Sequence, residues 1–173
     1  MVSNKKNVLF LIALIFLFPS CINLKQPAIK ISYYMLEYDP PRIEGLDPLA
    51  NVIRLERFSV SPGYDSNRIV YRDRSFARDA YAYHKWHANP GDMVSFFLKR
   101  DIKASGLFKA VLPPGSSLSS THKLEGSVDE FYEVDNEALW EAVLSVSITL
   151  MSENEPDVSK RVLFQKTYSA REA

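Results

Sequence analysis

The side chains best suited to chemistry in this 173-residue chain are one cysteine, three histidines and a scatter of serines and carboxylates. Cys21 has no second cysteine to pair with, so it is either a free thiol or a site of modification. His84 and His87 flank Trp86. Their spacing of three puts them on opposite faces of a strand, and zinc would need further ligands that neither cysteine nor a carboxylate pair supplies nearby. Asp129, Glu130 and Glu133 form the carboxylate group to weigh as acid and base. Such a pair needs a pocket that shifts its pKa values, whereas the pattern around these three is that of a solvated hairpin. Ser59 and Ser61 lack the strand-turn-helix setting of an activated serine, and no glycine-rich loop fit for phosphate is present. The residues call for no enzyme, no metal and no cofactor.

The setting of Cys21 is more specific. Lys5 and Lys6 form a positive flank, Val8 to Phe18 is an unbroken run of eleven apolar residues, and Pro19-Ser20 leads into the cysteine. As a helix the run extends about 16 Å against a hydrocarbon core of about 30 Å, the size of a signal-peptide core rather than a span. Leu17 to Cys21 resembles a bacterial lipobox, with Ser20 as the small residue before the cut; Phe18 and Pro19 are less usual there. The resemblance implies cleavage before Cys21, acylation of its thiol (palmitate among the chains) and attachment to a membrane. Two acyl chains anchor stably where one holds only marginally. Ile22 stands where an aspartate commonly retains such proteins in the inner membrane, so the expectation is the periplasmic face of the outer membrane. Cleavage leaves 153 residues, enough for one core, with a net charge near −2 once the leader lysines are gone. With no excess of positive charge, nucleic acid is excluded as a partner.

The elements that would position these residues follow from periodicity. Ser32–Tyr38 reads as a strand stopped by Asp39-Pro40-Pro41. Asn51–Val60, Arg68–Arg72 and Tyr81–Trp86 read as the next three. Asn89 is placed as an N-cap, Pro90 as the first helical residue and Asp92 as a box-like partner reaching back to the cap. Val94, Phe97, Leu98 and Ile102 then share a face, and Gly106 closes the helix. Phe108–Leu112, His122–Tyr132, Leu139–Met151 and Arg161–Tyr168 read as strands. In Leu139–Met151, Trp140, Ala142, Leu144, Val146, Ile148 and Leu150 alternate as one buried face. The expected architecture is an α+β domain over 32–173, an antiparallel sheet with a helix packed on one face. It follows a signal peptide (1–20) and a lipidated cysteine with its tether (21–31). A further C-terminal helix is expected beyond Ala173 in a longer version.

These segments together resemble the ABC-type transport auxiliary lipoprotein family, the PqiC-like proteins. The matching features are the lipobox at Cys21, Tyr33-Tyr34-Met35-Leu36, the Val52–Val60 strand, and Ser61 to Arg72 with Pro62, Tyr64 and Arg68-Ile69-Val70-Tyr71-Arg72. Trp86 with Pro90 four residues on, Gly106-Leu107-Phe108 and Leu124 to Phe131 complete the series. Gly63 and Ser66 depart from the family's larger residues, and its C-terminal helix is missing. The resemblance implies a non-catalytic accessory subunit working beside an MCE-type ABC transporter in lipid traffic between membranes. Its implied partners are MCE-domain and permease subunits. A second copy of the chain and lipid are further candidates. A stand-alone lipid- or small-ligand-binding envelope lipoprotein is the alternative, and an envelope hydrolase the weakest reading.

Aromatic residues crowd into the N-terminal half, among them Tyr38, Phe58, Tyr81 and Tyr83. Tyr33, Tyr34, Tyr64, Tyr71 and Trp86 are the candidates for contact with a partner or a lipid. Core and cross-strand packing is the competing account of each.

Overall fold

The computed structural model describes residues 28–42, 44–73, 76–136 and 139–173. The leader, Cys21 and the first part of the tether lie outside the described residues. In chain order the elements are β1 (Ser32–Tyr34), β2 (Leu49–Leu55), β3 (Ser59–Val60), β4 (Arg68–Arg72), β5 (Arg78–Trp86) and helix α1 (Pro90–Ala104). After them come β6 (Phe108–Leu112), β7 (His122–Asn136), β8 (Leu139–Ser152), a 3-10 turn (Val158–Lys160) and β9 (Val162–Glu172).

Strand β7 is the spine. Along one edge three short strands lie in succession, all parallel to it: Ile53–Leu55 beside His122–Leu124, Ser59–Val60 beside Ser127–Val128, and Tyr71–Arg72 beside Glu133–Val134. Along the other edge β8 runs antiparallel for its whole length, with a bulge between Val128 and Glu130, and β9 pairs antiparallel with β8. Outward from β4 come β5, antiparallel, and then β1, parallel; outward from β2 comes β6, parallel. The nine strands form one mixed sheet. This corrects the expectation of an antiparallel α+β sheet: parallel pairings bind most of the short strands, and a single helix among the described residues leaves the molecule predominantly β. Alternation within one strand reports which face is buried, but it carries no record of which strand lies alongside or in which direction.

Helix α1 forms where local signals ask for it. The Asn89 side chain accepts a hydrogen bond from the Gly91 N–H at 2.9 Å, Pro90 opens the helix, and Gly106 takes the left-handed conformation (φ +66°) just past its end. Asp92 does not reach back to the cap. It pairs instead with Arg57, 2.5 Å from Nε. Met93 and Phe97 are buried, and Val94, Leu98 and Ile102 pack on a core of Ile53, Leu55, Phe58, Leu124, Val128 and Val146. Full burial of each such apolar side chain contributes about 1.5–3 kcal/mol.

Two expected strands are shorter than their patterns suggest. The 51–60 run breaks at Glu56–Phe58 because Phe58 turns fully into the core, its N–H held by Ser95 Oγ at 2.8 Å. The 32–38 run pairs only as far as Tyr34. Beyond it the chain crosses to α1, where the Tyr38 ring stacks on Phe97 at 5.1 Å. The Tyr38 hydroxyl donates to Asp101 at 2.7 Å, and its carbonyl accepts from Arg100 at 2.8 Å. Residues 34–38 thus form a strap from the edge of the sheet to the helix.

Candidate functional site

Under this strap lies an apolar groove of about 530 Å³. Register on the β7–β8 pair builds its floor: Phe131 faces Leu144, Glu133 faces Ala142 and Asp135 faces Trp140. Strand β5 supplies one wall, with Trp86 packed 5.0 Å from Phe131. Strand β1 and the start of the strap supply Tyr34, Met35 and Leu36. An irregularity in the β4–β5 ladder between Arg68 and Val70 lets Tyr81, His84 and Trp86 all line the same space, although strict alternation would divide them.

The polar groups of the groove are few and paired. Tyr34 Oη lies 2.8 Å from His84 Nδ1. Tyr81 donates to Glu133 Oε1 at 2.9 Å, and its ring stacks tilted on Tyr71 with centroids 4.6 Å apart. Burial, then the hydrogen bond to Glu133 and the negative charges of Glu133 and Asp135, push the Tyr81 hydroxyl up to about 12. No lysine or arginine is among the described residues that line the groove.

No protein-family model matches the sequence, and no curated protein does. Solved structures do match. One is a protein from Xanthomonas campestris of the DUF330 family, with a TM-score of 0.71, 19% identity, and coverage of 81% of this chain and 77% of that one. Another is an uncharacterized protein with a TM-score of 0.57, 14% identity, and coverage of 82% and 79%. At such identities the likeness is one of fold.

The five candidate contact residues separate in space. Tyr34 and Trp86 line the groove. Tyr71 stands behind Tyr81 and reaches Asp79 at 3.4 Å. Tyr33 is exposed with its edge toward the His87 ring. Tyr64 is buried in a second core with Val70, Tyr132 and Val143, stacked on Tyr132 at 5.9 Å. Sequence reasoning missed Met35, Tyr81, Phe131, Glu133 and Trp140 as one set, since only the pairing of β7 with β8 and the β5 irregularity bring them together. Trp140, read from the alternation of β8 as part of its buried face, is instead two-thirds exposed at the end of the strand.

The other chemical candidates are occupied elsewhere. Asp129 accepts from Ser127 at 2.6 Å and Ser147 at 2.5 Å, and Ser59 donates to the Gly126 carbonyl. His84 and His87 contact Tyr34 and Tyr33 respectively. Among the described residues no group of three His, Cys, Asp or Glu side chains could hold a metal ion, and no helix is long and apolar enough to cross a membrane. The described residues offer an open apolar surface with one carboxylate in it, which suits binding.

Proposed function

We propose that this chain is a lipid-anchored envelope protein, held through acylated Cys21 on the periplasmic face of the outer membrane, and a non-catalytic accessory subunit of an MCE-associated ABC transport system in lipid traffic. The observation that carries the reading is that the segment following the lipobox in sequence builds one side of the groove. The chain that would leave the membrane at Cys21 becomes β1 and the strap, and so forms one wall of an aromatic groove. An accessory subunit needs such a binding surface near the bilayer and no reaction centre of its own. The lipobox and the ordered series of family-like segments support the same reading.

Two measurements test it. The mass of the protein purified from membranes should correspond to a chain beginning at Cys21 with added acyl groups, which Cys21→Ser lacks. Cross-linking in cells followed by pull-down should recover MCE-domain or permease subunits. An unmodified chain would remove the anchor, and capture of neither subunit would remove the accessory role.

A further inference from the structure

We propose that the groove binds a single-chain amphiphile carrying a cationic amine head at Glu133, with its tail along Trp86 and Phe131. One part is apolar, with Trp86 packed on Phe131 and with Met35 and Leu36 lining the same space. The other part carries Glu133, bonded to Tyr81, with the tilted ring of Tyr71 against Tyr81 and the exposed Trp140 near it. Charge complementarity decides the head. Among the described residues Glu133 is the one carboxylate lining the groove, and no lysine or arginine lines it. Asp135 adds negative potential at this end, since its charge together with that of Glu133 raises the Tyr81 hydroxyl. A carboxylate or phosphate head would meet repulsion, while an ammonium finds a carboxylate and the faces of aromatic rings, the combination that binds amine cations. The volume lies within the roughly 300–1,000 Å³ of small-molecule sites.

The inference deepens the lipid-traffic reading and takes from it only that amphiphiles are at hand. Binding of the amine without capture of transport subunits would refute that reading and keep the site; capture without binding would do the reverse.

The chain contains two tryptophans, Trp86 and Trp140, and both line the groove, so their fluorescence reports on it alone. The full chain, reconstituted in bromine-free lipid nanodiscs, is titrated with a long-chain primary amine brominated at the tail end, and with the carboxylate of the same chain. The expected result is saturable quenching by the amine and little by the carboxylate. Quenching should survive Trp140→Phe and be lost in Trp86→Phe, because the tail lies along Trp86. Glu133→Gln, which keeps an acceptor for Tyr81, should weaken the amine on the order of fivefold. Ala142→Phe, at an exposed position on the groove floor, should abolish saturation by filling it. Equal quenching by both probes, non-saturable quenching, or indifference to Ala142→Phe with circular dichroism unchanged would each overturn the proposal.

Discussion

Gly126 in β7 has no room for a side chain. A Cβ built there would stand 2.5 Å from Phe58 Cε1 and 2.9 Å from Cζ, and would fall on the carbonyl oxygen of Ser147 in β8. Carbon atoms in contact prefer about 3.5–4.0 Å, so the ring would have to retreat by about 1 Å. Phe58 is fully buried among Ile53, Leu55, Leu124, Val128 and Val146, and has nowhere to go. Overpacking of this kind costs about 1–3 kcal/mol, occasionally more. The second clash is with backbone in a strand paired on both sides, so Gly126→Ala should sit near the top of that range, about 3 kcal/mol. Phe58→Ala alone should cost about 3–5 kcal/mol through lost burial and the cavity left behind. The double variant separates the two clashes. Removing the ring relieves the first and leaves the carbonyl, so the pair should be about 1–2 kcal/mol less destabilised than the sum of the single variants. Urea unfolding of the full chain, followed by far-ultraviolet circular dichroism, gives all three values. A cost under about 1 kcal/mol for Gly126→Ala, or strict additivity, would refute this account of the core.

Asn89→Ala should destabilise by about 1–2 kcal/mol in the same assay, since it removes the cap on Gly91 and the hydrogen bond from Asn89 Nδ2 to Asp65 at 2.8 Å. The bridge between Arg57 and Asp92 is half exposed, so Asp92→Asn should cost less than about 1 kcal/mol near neutrality. The hydrogen bond from Arg57 holds the Asp92 carboxyl below its ordinary value, so this contribution is present above the usual aspartate range and disappears as pH falls through the folded-state value. The hydroxyls of Tyr38 and Tyr81 are raised from 10.0 to about 12, in both cases chiefly by burial and then by a carboxylate partner. Raised values mean that the folded chain holds these protons longer than the unfolded one, so stability is full below pH 10 and is lost between about pH 10 and 12. Phenolate absorbance should show a late-titrating fraction that shrinks in Tyr38→Phe and again in Tyr81→Phe.

What the sequence disclosed depended on how local the physics was. The helix was legible because Asn89, Pro90 and Gly106 act within a few residues of themselves, and the strands because alternation is a property of one segment. The partnering of strands was not legible. Ile53, Ser59 and Tyr71 line up along one edge of β7 through contacts 60 or more residues distant in sequence, and nothing in their own segments distinguishes a parallel neighbour from an antiparallel one. Asp92 shows the same limit at the scale of a side chain. Its position suits a capping box, but Arg57, brought near by the break between β2 and β3, offers an opposite charge at 2.5 Å. The aromatic cluster was visible as composition while its division was not: Tyr64 belongs to a core and Trp86 to a groove, and strand pairing alone decides which.

The bulge between Val128 and Glu130 explains why one sheet can serve both needs. Before it, Val128 and Val146 face the helix as core; after it, Phe131 and Leu144 continue on that face while Tyr132 and Val143 turn to the second core. The extra residue keeps Phe131, Glu133, Leu144, Ala142 and Trp140 on the face that Val128 and Val146 begin, so that β7 and β8 carry it from the core into the groove, where Tyr81 of β5 bonds Glu133. The strap is fixed at its two ends by different means. Its start is tied by the short parallel pairing of β1 with β5 and by Tyr34 on His84, and its far end by Tyr38 on Phe97, Arg100 and Asp101. Strand β1 is held to the sheet through β5 alone and at only three ladder positions, where each hydrogen bond contributes about 1 kcal/mol net. Strain arriving along the tether would therefore be felt first at Tyr34, and hence at the groove wall, before it reached the helix or the core.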